Sequence, residues 1–258
     1  MTGMDSAWAH RRRTRFTFIV GAVVVVFLAL YVVVKTYKPP SCFDDTRNQG
    51  ELGVDCGGPC ELMCQSQVEP LYLIWARAFE IDQGVYSLVA YADNPNFNAY
   101  ADVAPYRFVL YDKDNFVITE ETGETYVTGE PVVPVFVGPV RLENKEPVRV
   151  FFEWTELPQW RNEPPKRRVT IEERTITTPD FGSEITAVLK NNEPVDLRDI
   201  EVVVIVYDRD DNAIAASQTL VEYLGPRDTA QLVFSWPRAF TKSVGRIEFV
   251  PRVPDQER

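Results

Sequence analysis

Cys42, Cys56, Cys60 and Cys64 are the four cysteines of a 258-residue chain, and all lie within SCFDDTRNQGELGVDCGGPCELMC, residues 41–64. Thiols clustered in this way support three chemistries. Four thiolates can hold zinc in reducing surroundings, oxidising surroundings give two disulfides in one of three pairings, and a thiol pair can cycle in redox catalysis. Interleaved with them are Asp44, Asp45, Asn48, Glu51 and Asp55, oxygen donors of the kind that surround a calcium ion. The C-x3-C spacings fit zinc poorly, because structural sites favour closer C-x2-C knuckles. No C-x2-C sits in a βαβ context, which argues against a redox role. The acids lack the alternating 1-3-5 spacing of an EF-hand, so calcium binding competes with simple loop shaping and capping.

Which chemistry holds depends on compartment, and the preceding segment sets it. Phe16 to Val34 reads FTFIVGAVVVVFLALYVVV, nineteen residues without a charge. At about 1.5 Å per residue this crosses a hydrocarbon core of about 30 Å. A cleaved signal would have a shorter apolar run ending in small residues, whereas here Lys35-Thr36-Tyr37-Lys38-Pro39-Pro40 follows. Arg11, Arg12, Arg13 and Arg15 precede the span, so the positive-inside bias places the N-terminus in the cytoplasm. Trp8 beside these arginines is expected at the membrane interface. The chain is then a single-pass cell-membrane protein with its C-terminal domains extracytoplasmic, and the cysteines are expected as disulfides.

Residues 1–38 carry a net +5 in a chain whose total is −11, leaving −16 beyond them. So acidic a surface argues against nucleic acid or anionic lipid as partner, since both need clustered Lys and Arg. The one histidine, His10, lies on the cytoplasmic side of the span. An ectodomain Ser-His-Asp or Cys-His site and an imidazole zinc site are thereby excluded. Carboxylate pairs such as Glu120-Glu121 or Glu172-Glu173 are the remaining catalytic option, as in a glycan hydrolase, with surface charge the competing role.

From Leu71 onward, short stretches rich in Val, Ile, Tyr, Phe and Thr alternate with Asn, Asp, Gly and Pro, predicting strands and turns. The expected strands are 71–81, 85–93, 104–112, 116–121, 132–140, 148–154, 169–177, 184–190, 200–208, 213–220, 229–236 and 245–250. Glu201-Val-Val-Val-Ile-Val-Tyr207 is apolar on both faces, which suits a central strand of a sandwich. Three ordered matches relate the two halves: residues 84–94 with 182–192, 108–115 with 204–212, and 150–154 with 232–236. They put Trp154 and Trp236 in equivalent late strands, where core packing competes with sugar stacking. Asp112-Lys-Asp-Asn115 and Asp208-Arg-Asp-Asp-Asn212 read as hairpin turns ahead of calcium loops.

Phe108-Val109-Leu110-Tyr111-Asp112 resembles the signature of the small β-sandwich domains named for an F-x-L-Y-D motif, and Val204-Ile205-Val206-Tyr207-Asp208 is a second, altered copy. The stretch around Asp55-Cys56-Gly57-Gly58-Pro59-Cys60 is similar to a DCGGxC-type repeat of bacterial secreted and surface proteins. The commoner Asp-Gly near its start is Asp44-Asp45 here. These resemblances imply accessory envelope modules without catalytic activity. The expected architecture is an all-β ectodomain of two tandem immunoglobulin-like β-sandwiches, 68–158 and 168–253, joined by a linker 159–167. Ahead of it come a basic cytoplasmic tail 1–15, a transmembrane anchor 16–36 and a disulfide-stapled stalk 39–66, and a tail 254–258 ends the chain. The expected function is structural or interaction-based, with a protein partner in the envelope and no cofactor beyond a candidate calcium ion. The rivals are carbohydrate binding through surface aromatics and glycan hydrolysis.

Overall fold

The computed structural model describes residues 4–37, 41–143, 145–162, 168–177 and 182–256. The chain divides into two compact units, Met1–Asp55 and Cys56–Arg258. Helix α1, Met4–Thr36, dominates the first. Its stretch Arg12–Thr36 is long and apolar enough to cross a membrane, and its side chains are exposed throughout. The hydroxyls of Thr17 and Thr36 donate to the carbonyls of Arg13 and Val32, at 2.6 and 2.7 Å, so both donors are met within the helix. The side chains of Trp8, His10 and Arg11 lie outside the described residues.

The second unit is almost wholly β. Its strands are β1 Tyr72–Asp82, β2 Val85–Asp93, β3 Ala99–Tyr111, β4 Val117–Val127, β5 Val132–Arg141, β6 Arg149–Trp154, β7 Arg161–Asn162, β8 Val169–Thr177, β9 Ser183–Asn191, β10 Leu197–Asp208, β11 Ala213–Leu224, β12 Thr229–Trp236 and β13 Val244–Arg252. β2, β8 and β12 have the bounds expected from sequence. β3 and β4 are longer than expected, because pairing continues past an irregularity between Ala101 and Ala104.

All named pairings are antiparallel, in sheets ordered β1-β2-β5, β4-β3-β6, β12-β9-β8 and β11-β10-β13. The first two sheets enclose a cluster that includes Leu88, Ala90, Phe108, Leu110, Val135 and Phe152. The last two enclose Ile185, Leu189, Val202, Val204, Leu232 and Phe234. Strand for strand, the connectivity of β1 to β6 recurs in β8 to β13.

This recurrence corrects the sequence matches in two places. The core-facing series of β2 is Leu88, Ala90, Ala92 and then Asn94, and that of β9 is Ile185, Ala187, Leu189 and then Asn191. The equivalence is therefore 94 with 191, one residue away from the alignment of 84–94 with 182–192. Because side chains alternate, that single step exchanges core and outer faces. The two buried asparagines have one job. Asn94 Nδ2 donates to the carbonyls of Thr128 and Glu130, and Asn191 Nδ2 to those of Val195, Leu224 and Gly225. Each closes one end of its sheet pair by satisfying loop carbonyls that water cannot reach. The second correction concerns Trp154 and Trp236. Trp154 ends β6, which pairs with β3, whereas Trp236 ends β12, which pairs with β9. By topology β6 corresponds to β13 and β12 to β5, so the two tryptophans are not equivalent.

The two halves are fused rather than strung together. A third apolar cluster joins Phe79, Val89 and Tyr91 of β1 and β2 to Val203, Ile205, Tyr207, Ala213, Ala216 and Val250 of the β11-β10-β13 sheet. This explains why residues 201–207 are apolar on both faces. One face fills the β8–β13 core and the other is covered by the β1-β2-β5 sheet. Trp75 stacks on Tyr91 at 5.3 Å, and the Tyr91 hydroxyl donates to Glu248 at 2.5 Å. Burial, and then this carboxylate, push the Tyr91 phenol well above its ordinary range. Tyr207 is pushed up to about 12, again chiefly by burial and then by Glu248.

Beside the apolar seam runs a ladder of rings and cations. Arg161 sits 4.4 Å from the Tyr100 ring, Tyr100 lies on Tyr126 at 6.3 Å, and Arg252 sits 4.2 Å from the Tyr126 ring. Both guanidiniums are buried and hydrogen-bonded. Arg161 meets Asp102 through two contacts of 3.1 Å and Asp255 at 2.7 Å. Arg252 meets Glu201 at 2.9 Å and Thr125 Oγ1 at 2.8 Å, and it also donates to the Tyr126 carbonyl. Trp160 is buried and Arg161 pairs with Tyr100 and Leu62, so residues 160–162 are packed structure and not part of the expected linker. Residues 163–167 of that linker lie outside the described residues.

The halves should therefore unfold together. Arg252→Met keeps the aliphatic stem but strands Glu201 and the Tyr126 carbonyl, and is expected to cost roughly 3 kcal/mol, the scale for removing one partner of a buried ion pair. Denaturant unfolding should shift as one transition by tryptophan fluorescence and far-ultraviolet circular dichroism. Two separated transitions would show that the halves are independent.

Candidate functional site

The cysteine segment carries the residues singled out by their chemistry. Cys56 and Cys64 form a disulfide with an S–S distance of 2.00 Å. Cys42 and Cys60 are disulfide-bonded as well, and no cysteine is free among the described residues. Oxidation removes the thiolates that a four-cysteine zinc site requires.

The acids of residues 41–55 are gathered by backbone amides. Asp55 accepts from the Asp44 and Asp45 amides, at 3.0 and 2.9 Å. Asp44 accepts from the Ser41 and Thr46 amides and from Asn48 Nδ2, the last at 2.8 Å. Glu51 Oε2 accepts from the Asn48 and Asp55 amides, at 3.2 and 3.3 Å. Of the five candidate calcium ligands, Asp44, Asn48, Glu51 and Asp55 thus form one network, while Asp45 enters it through its backbone and keeps an exposed side chain. Asp45 also adopts φ +58°, the left-handed turn that glycine takes more readily. In this geometry the carboxylates close the loop, and a cation would compete with amide donors for the same oxygens.

The two Tyr-Asp hairpins follow the same logic. Asp112 Oδ1 accepts from the amides of Asp114 and Phe116, both at 2.9 Å. Asp208 Oδ1 accepts from those of Asp210 and Asn212, at 3.0 and 2.9 Å, and its Oδ2 takes Lys242 Nζ at 2.8 Å. These are side-chain-capped turns. Of the carboxylate pairs, Glu120 meets Arg107 at 3.4 Å and Glu172 meets Lys190 at 3.2 Å. Glu121 lies on the core-facing row opposite Phe108, so it and Glu120 project to opposite faces of β4.

A concave site that the sequence did not single out lies beside the cysteine segment. A cleft of about 350 Å³ is lined by Val68, Glu69, Leu71, Trp154, Glu156, Leu157 and Trp160, among others. Trp154 packs edge-on against Phe152 at 5.0 Å, and its indole N–H is buried without an acceptor among the described residues. Trp236, by contrast, is buried and donates to the Ala216 carbonyl at 3.3 Å. Glu69 and Glu156 are exposed. Two tryptophans, short aliphatic walls and flanking acids make a binding cleft of small-ligand or side-chain size. The sequence signal for it was weak. Trp160 and Pro158 fall in a stretch whose polar neighbours read as a linker, and the cleft exists only because residues 65–71 fold back against residues 154–160.

The Lys242 ammonium, then the Asn212 amide, hold the Asp208 carboxyl down to about 2 from an ordinary 3.8. A carboxyl depressed in the fold contributes stability above its unfolded value and loses it as pH falls through the folded one. Asp208→Asn should therefore lower stability at neutral pH and flatten its dependence between pH 3.8 and about 2. A parallel wild-type and variant profile across that window would contradict this assignment.

No family model matches the chain, and no curated protein matches it. Among solved structures it is similar to red sea bream transglutaminase, with 11% identity over 69% of this chain and 29% of that one, at a TM-score of 0.22. It is also similar to the tandem CBM22-1-CBM22-2 domains of Paenibacillus barcinonensis Xyn10C, with 9% identity over 72% of this chain and 90% of that one, at a TM-score of 0.16. The chain thus spans under a third of the transglutaminase chain.

Proposed function

We propose that this is a single-pass membrane protein, N-terminus cytoplasmic, whose extracytoplasmic part is a non-enzymatic interaction module of two immunoglobulin-like β-sandwiches. The observation that carries the reading is the fusion of the two sheet pairs into one body through a shared apolar seam. Such a body holds a surface at fixed geometry, which is what a presenting or spacing protein needs. The apolar stretch of α1 and the oxidised cysteines support an anchored protein facing an oxidising compartment. Glu120 and Glu172 are engaged in surface ion pairs and Asp112 and Asp208 in turn caps, which supports binding over hydrolysis.

The cleft at Trp154 and Trp160 is the contact point in this reading. Its flanking acids and apolar walls suit a basic, partly aliphatic segment of a protein partner. A carbohydrate ligand is the second reading, favoured by the half-buried Trp154 ring lining the cleft, since an indole face can stack on a sugar ring.

Two measurements test this. In intact cells, external protease should digest a tag placed after Arg258 and spare one before Met1, and the reverse pattern would invert the topology. In native membranes, the full-length chain should cross-link to a protein partner, and Leu157→Asp in the cleft should abolish that product. Retained protein cross-linking together with glycan binding that Leu157→Asp removes would establish the carbohydrate reading for the cleft.

A further inference from the structure

The repeated connectivity makes the two halves comparable face by face. β3 corresponds to β10, so Val109 and Tyr111 occupy the places of Ile205 and Tyr207. Across the strand pair, Tyr111 faces Arg149 as Tyr207 faces Arg246. Both arginines lie over their tyrosines, at 4.4 Å and 3.7 Å. In the second half this aliphatic-tyrosine-arginine face is the one that the β1-β2-β5 sheet covers. In the first half no second sheet covers the same face among the described residues. Val109 at its centre is only 4% exposed, and Phe151 replaces Glu248 beside it. Phe151 is 46% exposed and Val117 48%, while Phe116 in the adjoining turn is 71% exposed.

We propose that this face, on which Tyr111, Val117 and Phe151 surround the buried Val109, pairs with the same face of a second copy of this chain. The cover used in the second half is not available, because the chain's one apolar β1-β2-β5 face is already occupied. Its counterpart on the β12-β9-β8 sheet carries Glu184, Thr186, Val188 and Lys190 along the outer row of β9, a mostly polar row with one aliphatic side chain where Phe79, Val89 and Tyr91 form the first-half face. A head-to-tail array is therefore disfavoured, and a two-fold pairing is the closed arrangement left. The charges on this face fit it. Arg107 stands between Glu153 at 2.5 Å and Glu120 at 3.4 Å, and Arg149 lies on β6 opposite Tyr111, beyond Phe151 from Glu153. Two cations and two anions make the face locally neutral on an ectodomain of net −16, so a half-turn can set arginine against glutamate without the repulsion met elsewhere. The pairing does not depend on which partner the cleft takes.

The full-length chain in detergent should have the protein mass of a dimer by light scattering. Phe151→Glu places a charge in the apolar face of both copies and should weaken association roughly 30-fold or more, the scale of a central interface residue. Val233→Glu, on the outer face of β12, should leave the dimer intact, and unchanged melting would show that both variants fold. In native membranes, Phe151→Cys should give an oxidant-dependent covalent dimer and Val233→Cys should not. A wild-type monomer at every concentration, or a dimer indifferent to Phe151→Glu, would overturn the proposal.

Discussion

Arg161, Tyr100, Tyr126 and Arg252 form a stack on which the folded unit is organised. A buried guanidinium is tolerated only when its donors are met and its charge is balanced. Here each is met by groups from different parts of the chain. Arg161 gathers Asp102 of β3 and Asp255 of the C-terminal tail, and Arg252 gathers Glu201 of β10 and Thr125 of β4. The rings between them supply their electron-rich faces to both cations. Desolvating either arginine without all of its partners would be costly, so the stack specifies one relative placement of the two halves. The neighbouring apolar seam supplies area, and the stack supplies register.

The elements that repeat a simple rule were legible in the sequence. Alternating apolar strands bounded by Asn, Asp and Gly located the twelve longer strands, with the bounds of β2, β8 and β12 matched and others several residues short, because each buries one side in its own half. Glu201–Tyr207 announced a second covered face but not what covered it. A sequence shows that Val203 and Ile205 are apolar, whereas only the fold shows that their cover is Phe79, Val89 and Tyr91. The matched halves were visible too, yet one match was slipped by a residue and another joined strands of different sheets. Residue similarity follows side-chain type, while topology follows hydrogen bonding, and in short apolar strands the two separate easily.

Arg161, Trp160 and the cleft illustrate the opposite case. Arginine among Asn, Glu and Pro reads as solvent-exposed linker, and nothing local distinguishes Arg161, which is buried. Its burial is fixed by partners 59 and 94 residues away. The acids of the cysteine segment lie between these extremes. Their clustering was visible, and their use became visible only when Asp55 was found to hold the amides of Asp44 and Asp45.

The position of Arg161 has a mechanical consequence. Glu61, near the start of the Cys56–Arg258 unit, and Asp255, near its end, both approach this one side chain, at 4.0 and 2.7 Å. The entrance and exit of the folded unit therefore share a corner. Tension applied between its ends would be borne by that corner, and the four sheets would hang from it unloaded, like a lantern from a hook.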